Sequence, residues 1–410
     1  MRAEQGLVTG PVALSPIQRW FFEQAPAEPH HWNMSLFLEV RGALDVEVLE
    51  RALTHVTEHH DALRLRFARE ADGWRQVSEA VGPPPRVEQV DVSGVPAELQ
   101  AAELERRATR VQGSLRLEEG PLLRAVLFHL GAGRSGRLLL VLHHLVVDGV
   151  SWRILLEDLL TAYSRLAVGA APELPPKTTS FQAWSRGLSE HARSEALEAE
   201  RSWWLARPWS RVTRLPVDVS GGDNTEGLAR SVSGSLTAEE TRALLQDVPR
   251  AYHTQINDVL LTALAQAVGH WTGNPLVLVD VEGHGREELL AGLDVSRTVG
   301  WLTTYFPALL DLQEAKGPGE ALRAVKEQLR AVPSKGMGYA LLRHLVEPSP
   351  LVALPRAELS FNYLGQVDGA LAEGGLLGLA PESAGAQRGL ATAGRTCSTW
   401  WARWWAAGSS

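Results

Sequence analysis

The stretch from Leu138 to Tyr163 constrains the fold most, because it predicts a strand, a tight turn and a helix in immediate succession. The apolar run Leu138–Leu142 has the length of a buried strand. It leads into His143-His144-Leu145-Val146-Val147-Asp148-Gly149-Val150, where Asp-Gly is typical of a turn, and a helical pattern follows from Trp152. Two histidines thus end a strand directly before a helix, where a positioned imidazole can take or give a proton near neutral pH.

Size and composition limit the class of protein. The chain has 410 residues, enough for two or three domains or lobes, and its hydrophobic content of 45% is ordinary for a globular protein. The net charge of −8 argues against a nucleic-acid surface, and no apolar stretch reaches the roughly 18 residues of a membrane span. Cys397 is the single cysteine, which excludes an internal disulfide framework and a cysteine-based zinc cluster. Without a signal peptide at its start, the chain is expected to be cytoplasmic.

The pattern of elements predicts two mixed α/β lobes. In the first lobe, residues 1–172, we expect a strand over Ser35–Val40, helices over Asp45–His60 and Ala97–Val111, and strands over Leu122–Leu130 and Leu138–Leu142. The Ala/Pro-rich segment Gly169–Lys177 indicates the connection to a second lobe, residues 173–370.

In the second lobe, one strand ends in a candidate site. Helices are expected over Phe181–Leu205, Thr237–Leu245 and Asp258–Trp271, followed by the strand Leu276–Val281. This strand opens into Glu282-Gly283-His284-Gly285-Arg286-Glu287, whose glycines allow the backbone to approach a ligand closely. The strand-like run Glu358–Leu364 carries Asn362 and Tyr363 at its end, as residues of a cleft or as a satisfied polar pair.

Several roles remain open for His143 and His144. Neighbours on a strand point to opposite faces, so only one of them can face a given cleft, and spacing does not decide which. Asp148 could bind an imidazole or pair with an arginine. Adjacent histidines diverge and lack further ligands, so no metal is expected, and Gly149-Val150-Ser151-Trp152-Arg153 lacks the second glycine of a nucleophile elbow. His59 and His60, another adjacent pair, end a predicted helix and are expected to cap it.

Six ordered motifs resemble the condensation-like superfamily of nonribosomal peptide synthetases and, within it, the epimerization domains. They are PIQRWFF at Pro16 with HWN at His31, HHLVVDGVSW at His143, EGHGRE at Glu282, RTVGWL at Arg297, GMGY at Gly336 and FNYLGQ at Phe361. The resemblance spans about residues 4–368. It implies two chloramphenicol-acetyltransferase-like lobes that form a V-shaped pseudo-dimer with a central cleft.

The resemblance also implies an activity: inversion, from L to D, at Cα of an aminoacyl or peptidyl residue held as a thioester by a carrier protein. Proton removal and delivery on opposite faces need two acid/base groups, and the resemblance gives these roles to His144 and Glu282. It adds supporting residues: His143, Asp148, Gly149, Arg286, Asn362 and Tyr363. Asp148 is expected to be structural and to pair with Arg286, and Gly149 is expected to serve the tight turn.

The expected partners follow from the same resemblance. The domain itself binds no cofactor, since the substrate is carried on the 4'-phosphopantetheine of a partner carrier protein beside neighbouring synthetase modules. A single chain is sufficient, so a monomer is expected. Two other functions stay open: condensation, which forms an amide bond without needing Glu282, and an inactive scaffold that only docks the carrier protein.

The last segment, residues 371–410, departs from the family pattern. The sequence Trp400-Trp401-Ala402-Arg403-Trp404-Trp405 fits neither a strand nor a helix, and a one-base shift would turn it into a valine-rich sequence. We hypothesise that this tail is an out-of-frame readout, which sequencing the gene would test. The second lobe is then expected to be incomplete and the chain less stable than a full-length relative. The first residues resemble a linker after a carrier domain, so we expect a piece of a larger synthetase.

Overall fold

The structure is a computed structural model that describes residues 3–219, 221–287, 289–366, 374–393 and 398–404; residues 366 and 398–404 are described by their backbone alone. The chain divides into two compact units. The first comprises Met1–Glu190, Leu290–Leu302 and Asp368–Ala393, and the second comprises His191–Leu289, Thr303–Val367 and Gly394–Ser410. This division differs from a single boundary at 172/173, because two later segments return to the first unit.

The first unit contains eight described strands and five helices. In chain order they are β1 (Gly10–Val12), α1 (Pro16–Glu23), β2 (Asn33–Val40), α2 (Val46–His59), β3 (Leu65–Glu70), β4 (Gly73–Ser78), β5 (Val87–Asp91), α3 (Ala97–Gln112), β6 (Leu123–His129), β7 (Gly136–His143), α4 (Gly149–Ala167), α5 (Phe181–His191) and β11 (Leu377–Leu379). The predicted strands and helices of this lobe are all present. The small sheet β1-β4-β3 was not predicted.

A five-stranded sheet, in the order β11-β2-β7-β6-β5, forms the core of the first unit. Its strand β7 is buried along seven of its eight residues, as expected for a strand covered on both faces. Leu139 and Val141 belong to the core cluster that includes Leu104 of α3. On the other face, Leu140 and Leu142 line one apolar cavity together with Leu53 of α2 and side chains of α4. Both faces are covered by apolar side chains, so the strand is buried up to its carboxyl end at His143.

The helix α4 begins where the Asp-Gly turn predicts it. Asp148 is its N-cap, and its Oδ1 accepts a hydrogen bond of 2.7 Å from the backbone N–H of Ser151. Such a cap satisfies an amide that the first helical turn leaves without a partner. Gly149 is the first helical residue, and a Cβ at that position would meet no atom within 4 Å. Its φ is not positive, so the turn itself does not require glycine, contrary to the role expected for Gly149.

Residues 374–393, which belong to the segment 371–410 that was predicted to be an atypical tail, pack against the first unit. β11 extends the five-stranded sheet by pairing antiparallel with β2. Arg137 donates to both carboxylate oxygens of Glu382, at 2.7 and 2.9 Å, and Ala380 and Ala384 pack on the apolar core. Residues 374–393 of the predicted tail therefore form a folded edge of this unit.

The second unit carries the remaining described elements. They are α6 (Glu195–Leu205), α7 (Ala238–Arg242), α8 (Val248–Tyr252), α9 (Ile256–Thr272), β8 (Leu276–Gly283), β9 (Thr304–Asp311), α10 (Pro318–Arg330), α11 (Met337–His344), β10 (Leu359–Gln366) and β12 (Ser398–Trp404). The single helix predicted over Phe181–Leu205 is wrong. It is two helices, α5 and α6, because Ser194 caps a new helix by accepting a hydrogen bond from the N–H of Leu197.

A four-stranded sheet, in the order β12-β10-β8-β9, forms the centre of the second unit. β8 and β9 are antiparallel, whereas β10 runs parallel to both β8 and β12. The backbone of Ser398–Trp404 is a strand, which corrects the expectation that the tryptophan-rich sequence fits none. Residues 405–410 lie outside the described residues. Within the part of the chain that the structure describes, none of the helices combines the length and apolar character that a bilayer crossing requires.

Candidate active site

His143, the last residue of β7, is fully buried, and both of its ring nitrogens are used. Nε2 lies 2.8 Å from the carbonyl oxygen of Pro29 and, because a carbonyl only accepts, Nε2 carries the proton. Nδ1 accepts a hydrogen bond of 3.2 Å from the backbone N–H of Leu145. Burial lowers the pKa of His143 to about 3, so the ring is neutral at physiological pH. This histidine supports the local fold and has no nitrogen left for chemistry.

His144 has the opposite arrangement. Its Nδ1 lies 2.8 Å from the carbonyl oxygen of Val147, so Nδ1 carries the proton and Nε2 keeps its lone pair. Among the described residues, no hydrogen bond engages Nε2. The side chain is half-buried, and burial is the main cause that lowers its pKa to about 4, with the positive charge of Arg388 acting in the same direction. The neutral ring therefore has the tautomer and protonation state of a general base.

A tryptophan that the sequence reasoning did not single out lies against this ring. The centroid of Trp301 is 4.2 Å from that of His144, with an interplanar angle of 33°. Trp301 lies inside the motif RTVGWL, so a signal was present in its sequence, but nothing local indicates which side chain an indole will meet. Leu302, the residue after Trp301, is held by Asp148: its backbone N–H donates a hydrogen bond of 3.0 Å to Oδ2 of the Asp148 carboxylate.

Glu282 and Asn362, in the second unit, are brought together by their strands. Glu282 is the penultimate residue of β8, and β10 runs parallel beside it with Phe361 opposite Val281. The next residues along the two strands are Asn362 and Glu282, and their side chains are hydrogen-bonded. The Nδ2 of Asn362 donates to Oε2 of Glu282 at 2.7 Å. Both side chains are half-buried. A fixed carboxylate at a strand end can act as an acid/base group.

Two further predicted residues lie in the same unit. Tyr363 follows Asn362 on β10, and burial raises the pKa of its phenol. In the loop after β8, the backbone N–H of Arg286 donates to Nδ1 of His284 at 3.0 Å. The pairing of Asp148 with Arg286 stays a prediction. Across the sheet, Tyr305 lies opposite Glu282, and its hydroxyl is 2.6 Å from Nε2 of His344, a buried pair that the sequence reasoning missed.

One group among the described residues has the spacing of a metal site: His59, His60 and Asp158. Nε2 of His60 lies 2.8 Å from Oδ2 of Asp158, while Arg297 binds the other carboxylate oxygen. Asp158 therefore already has two partners, one of them cationic, which disfavours a divalent ion. The expectation that His59 and His60 only cap their helix is incomplete, because the ring of His60 is turned toward Asp158.

The comparisons with known proteins concern the family and the fold of this chain. The family model described as the condensation domain matches residues 8–378, beyond the limit of residue 368 set by the motifs. The chain is 50% identical over 386 residues to a component of the linear gramicidin synthase of Brevibacillus parabrevis, and 39% identical over 372 residues to gramicidin S synthase 1 of Brevibacillus brevis. These alignments cover 93% and 90% of the chain but only 5% and 34% of the relatives, so the chain spans a small part of their length.

Solved structures give the same result for the fold. The epimerization domain from the third module of tyrocidine synthetase B is 35% identical, with a TM-score of 0.90 over 98% of this chain and 90% of that one. The first condensation domain of the calcium-dependent antibiotic synthetase is 23% identical, with a TM-score of 0.68 over 87% of this chain and 81% of that one. The second likeness concerns the fold alone. The mixed α/β architecture expected from the sequence, chloramphenicol-acetyltransferase-like, is confirmed.

Proposed function

This chain belongs to the condensation-domain family of nonribosomal peptide synthetases, and we propose that its activity within that family is epimerization. The substrate is an aminoacyl or peptidyl residue, bound as a thioester to the phosphopantetheine arm of a partner carrier protein. The reaction inverts its Cα from L to D. The observation that carries the proposal is the Asn362–Glu282 hydrogen bond of 2.7 Å, which fixes a second acid/base group besides His144.

The chemistry explains why two groups are needed. A thioester acidifies Cα only weakly, and the proton must leave one face and arrive on the other. One of His144 and Glu282 removes the Cα proton, the electron pair is held as a thioester enolate, and the other group delivers a proton to the opposite face. Both groups then exchange protons with water, so no cofactor and no redox step enters the balance.

Exchange in heavy water tests this assignment. Carrier-bound L-aminoacyl thioester and its D-isomer are each incubated with the protein in deuterium oxide, and deuterium at Cα and configuration are measured together. We expect wild type to incorporate deuterium with inversion from either isomer. Glu282→Gln and His144→Gln should each lose inversion, and each should exchange at most one isomer, with retention, because only one face of Cα keeps its base.

Glu358→Gln is the matched control. Glu358 is also half-buried and accepts a 2.7 Å hydrogen bond, from the N–H of Leu215, in the same unit as Glu282. We expect it to invert both isomers as wild type does. Inversion by Glu282→Gln at the wild-type rate, or a wild type that incorporates no deuterium, would refute the proposal.

Condensation is the second candidate, because the matching family model is the condensation domain and the histidine motif is compatible with both reactions. Amide-bond formation needs no second acid/base group on Cα. A wild-type protein that joins two carrier-bound aminoacyl groups without deuterium incorporation would favour this alternative. So would a Glu282→Gln variant that keeps full amide-forming activity.

A further inference from the structure

We infer that Trp301 is a positioning residue for His144: its indole covers the imidazole and holds it in the orientation in which Nε2 is available as a base. That His144 acts as a base rests on the proposed function. The contact between Trp301 and His144 does not, because both residues lie in the first unit. The two ring centroids are 4.2 Å apart and the ring planes are tilted by 33°, so the indole lies directly against the imidazole. Trp301 is 4% exposed, so its indole also excludes water from that face of the imidazole.

The backbone on both sides of Trp301 is tied to the helix that follows His144. Before it, the N–H of Gly300 donates to the Ser151 hydroxyl at 3.1 Å, and that hydroxyl donates to the Gly300 carbonyl at 2.9 Å. After it, the N–H of Leu302 donates to Asp148 at 3.0 Å. Since Asp148 caps α4 and Ser151 lies in its first turn, the backbone on both sides of the indole is fixed relative to a turn that begins four residues after His144.

The segment that carries Trp301 packs so closely against Phe181 that one of its positions must be glycine. Gly300 has φ of +153°, and a Cβ there would lie 2.3 Å from the ring of Phe181. Further support comes from α1, where Trp20 and Phe21 each present an edge to Trp301 at 6.3 Å between centroids. The position of the indole is thus fixed both by hydrogen bonds of the adjacent backbone and by ring contacts with its neighbours. A side chain that only fills the core would not need both.

The expected effect on His144 follows from burial. Burial is the largest cause of the lowered pKa of His144, about 4, and the indole supplies part of that burial. Removing the indole admits water, so the pKa of His144 should move up toward its ordinary value near 6.5. A freed imidazole would also lose orientation, and misplacing a catalytic group by about 1 Å can cost about 100-fold in rate.

The test titrates His144 by NMR with labelled histidine in wild type, Trp301→Leu and Ser151→Ala, using His144→Gln to assign the resonance. We expect the pKa of His144 to rise in both variants, more strongly in Trp301→Leu, and the Nδ1-protonated tautomer to become less populated. Trp184→Leu is the matched control, since Trp184 is 3% exposed in the same unit, and it should leave the titration unchanged.

The same variants are assayed for Cα exchange as a function of pH. For Trp301→Leu we expect kcat to fall by about 10- to 100-fold with a smaller change in KM, and the pH at which activity is half-maximal to rise. Unchanged or lowered pKa values in both variants would overturn the inference. If Trp301→Leu does not fold, the pKa of His144 in Ser151→Ala alone tests the inference. A raised pKa in a protein that shows no exchange would instead reject the proposed function and leave the positioning role intact.

Discussion

At the scale of single residues, the two adjacent histidines differ through their partners. His143 has both ring nitrogens hydrogen-bonded, to Pro29 and Leu145, whereas within the described part of the chain His144 forms a ring hydrogen bond only through Nδ1, to Val147. Strand alternation predicted that the two rings diverge, but not which one would be saturated. The carbonyl of Pro29, 114 positions away, decided it, and no local pattern encodes such a contact.

Three histidines with lowered pKa values predict that acid destabilises the fold. The pKa values of His143, near 3, and of His59 and His144, near 4, lie below the unfolded value of 6.5, with burial as the main cause. Between pH 6.5 and about 4 the unfolded chain binds protons that the folded chain does not. The free energy of unfolding should therefore fall as the pH is lowered through this window.

Urea unfolding at pH 7.5 and pH 5 measures this effect. His59→Gln should reduce the difference between the two pH values, because it removes one of the three titrating rings. Equal stability at both pH values, or greater stability at pH 5, would contradict the prediction.

At the scale of elements, local signals located most of the structure. The helix predicted over Asp45–His60 is α2, and the strand predicted over Leu276–Val281 is β8, two residues longer. The predicted elements are wrong where a side-chain cap starts a new helix within a continuous helical pattern, as at Ser194. They are also incomplete where a strand forms only because it pairs with a neighbouring strand. The strand β11 is three residues long, and its pairing with β2 gives it regular structure.

The segment that carries β11 provides a stability test. Arg137 and Glu382 have side-chain exposures of 9% and 12%, and, although burial opposes it, the bonds from Arg137 keep the pKa of Glu382 lowered. Glu382→Gln should cost about 1–3 kcal/mol in the free energy of unfolding at neutral pH. In the exposed Arg75–Glu70 pair, Glu70→Gln should cost under about 1 kcal/mol.

Hydrogen exchange shows which part of the chain loses stability in Glu382→Gln. Residues 374–393 should exchange faster in Glu382→Gln, while β7 remains protected. An unchanged exchange rate in this segment, with an unchanged unfolding free energy, would show that the ion pair does not hold it.

At the scale of the whole molecule, the first unit is discontinuous in sequence. Segments 290–302 and 374–393 contribute Trp301, Leu302 and the strand β11 to it. A fragment of residues 1–190 should therefore fail to unfold cooperatively, since Asp148 and Ser151 lose their partners and the edge of β2 is uncovered.

Circular dichroism during heating, compared between the fragment and the complete chain, checks this expectation. Adding segments 290–302 and 374–393 through flexible linkers should restore part of the cooperativity. A sharp transition for residues 1–190 alone would mean that these segments do not stabilise the first unit.

The sequence by itself determined the family and the mixed α/β fold, and it predicted the two candidate sites, at His143-His144 and at Glu282. It did so because motifs, caps and periodicity are local properties of the chain. Only the tertiary structure decided that Nδ1 of His144 binds the carbonyl of Val147, that Trp301 lies against this imidazole and that Asn362 bonds to Glu282. Each of the last two contacts joins residues at least 80 positions apart, and such pairings depend on how the packed elements meet.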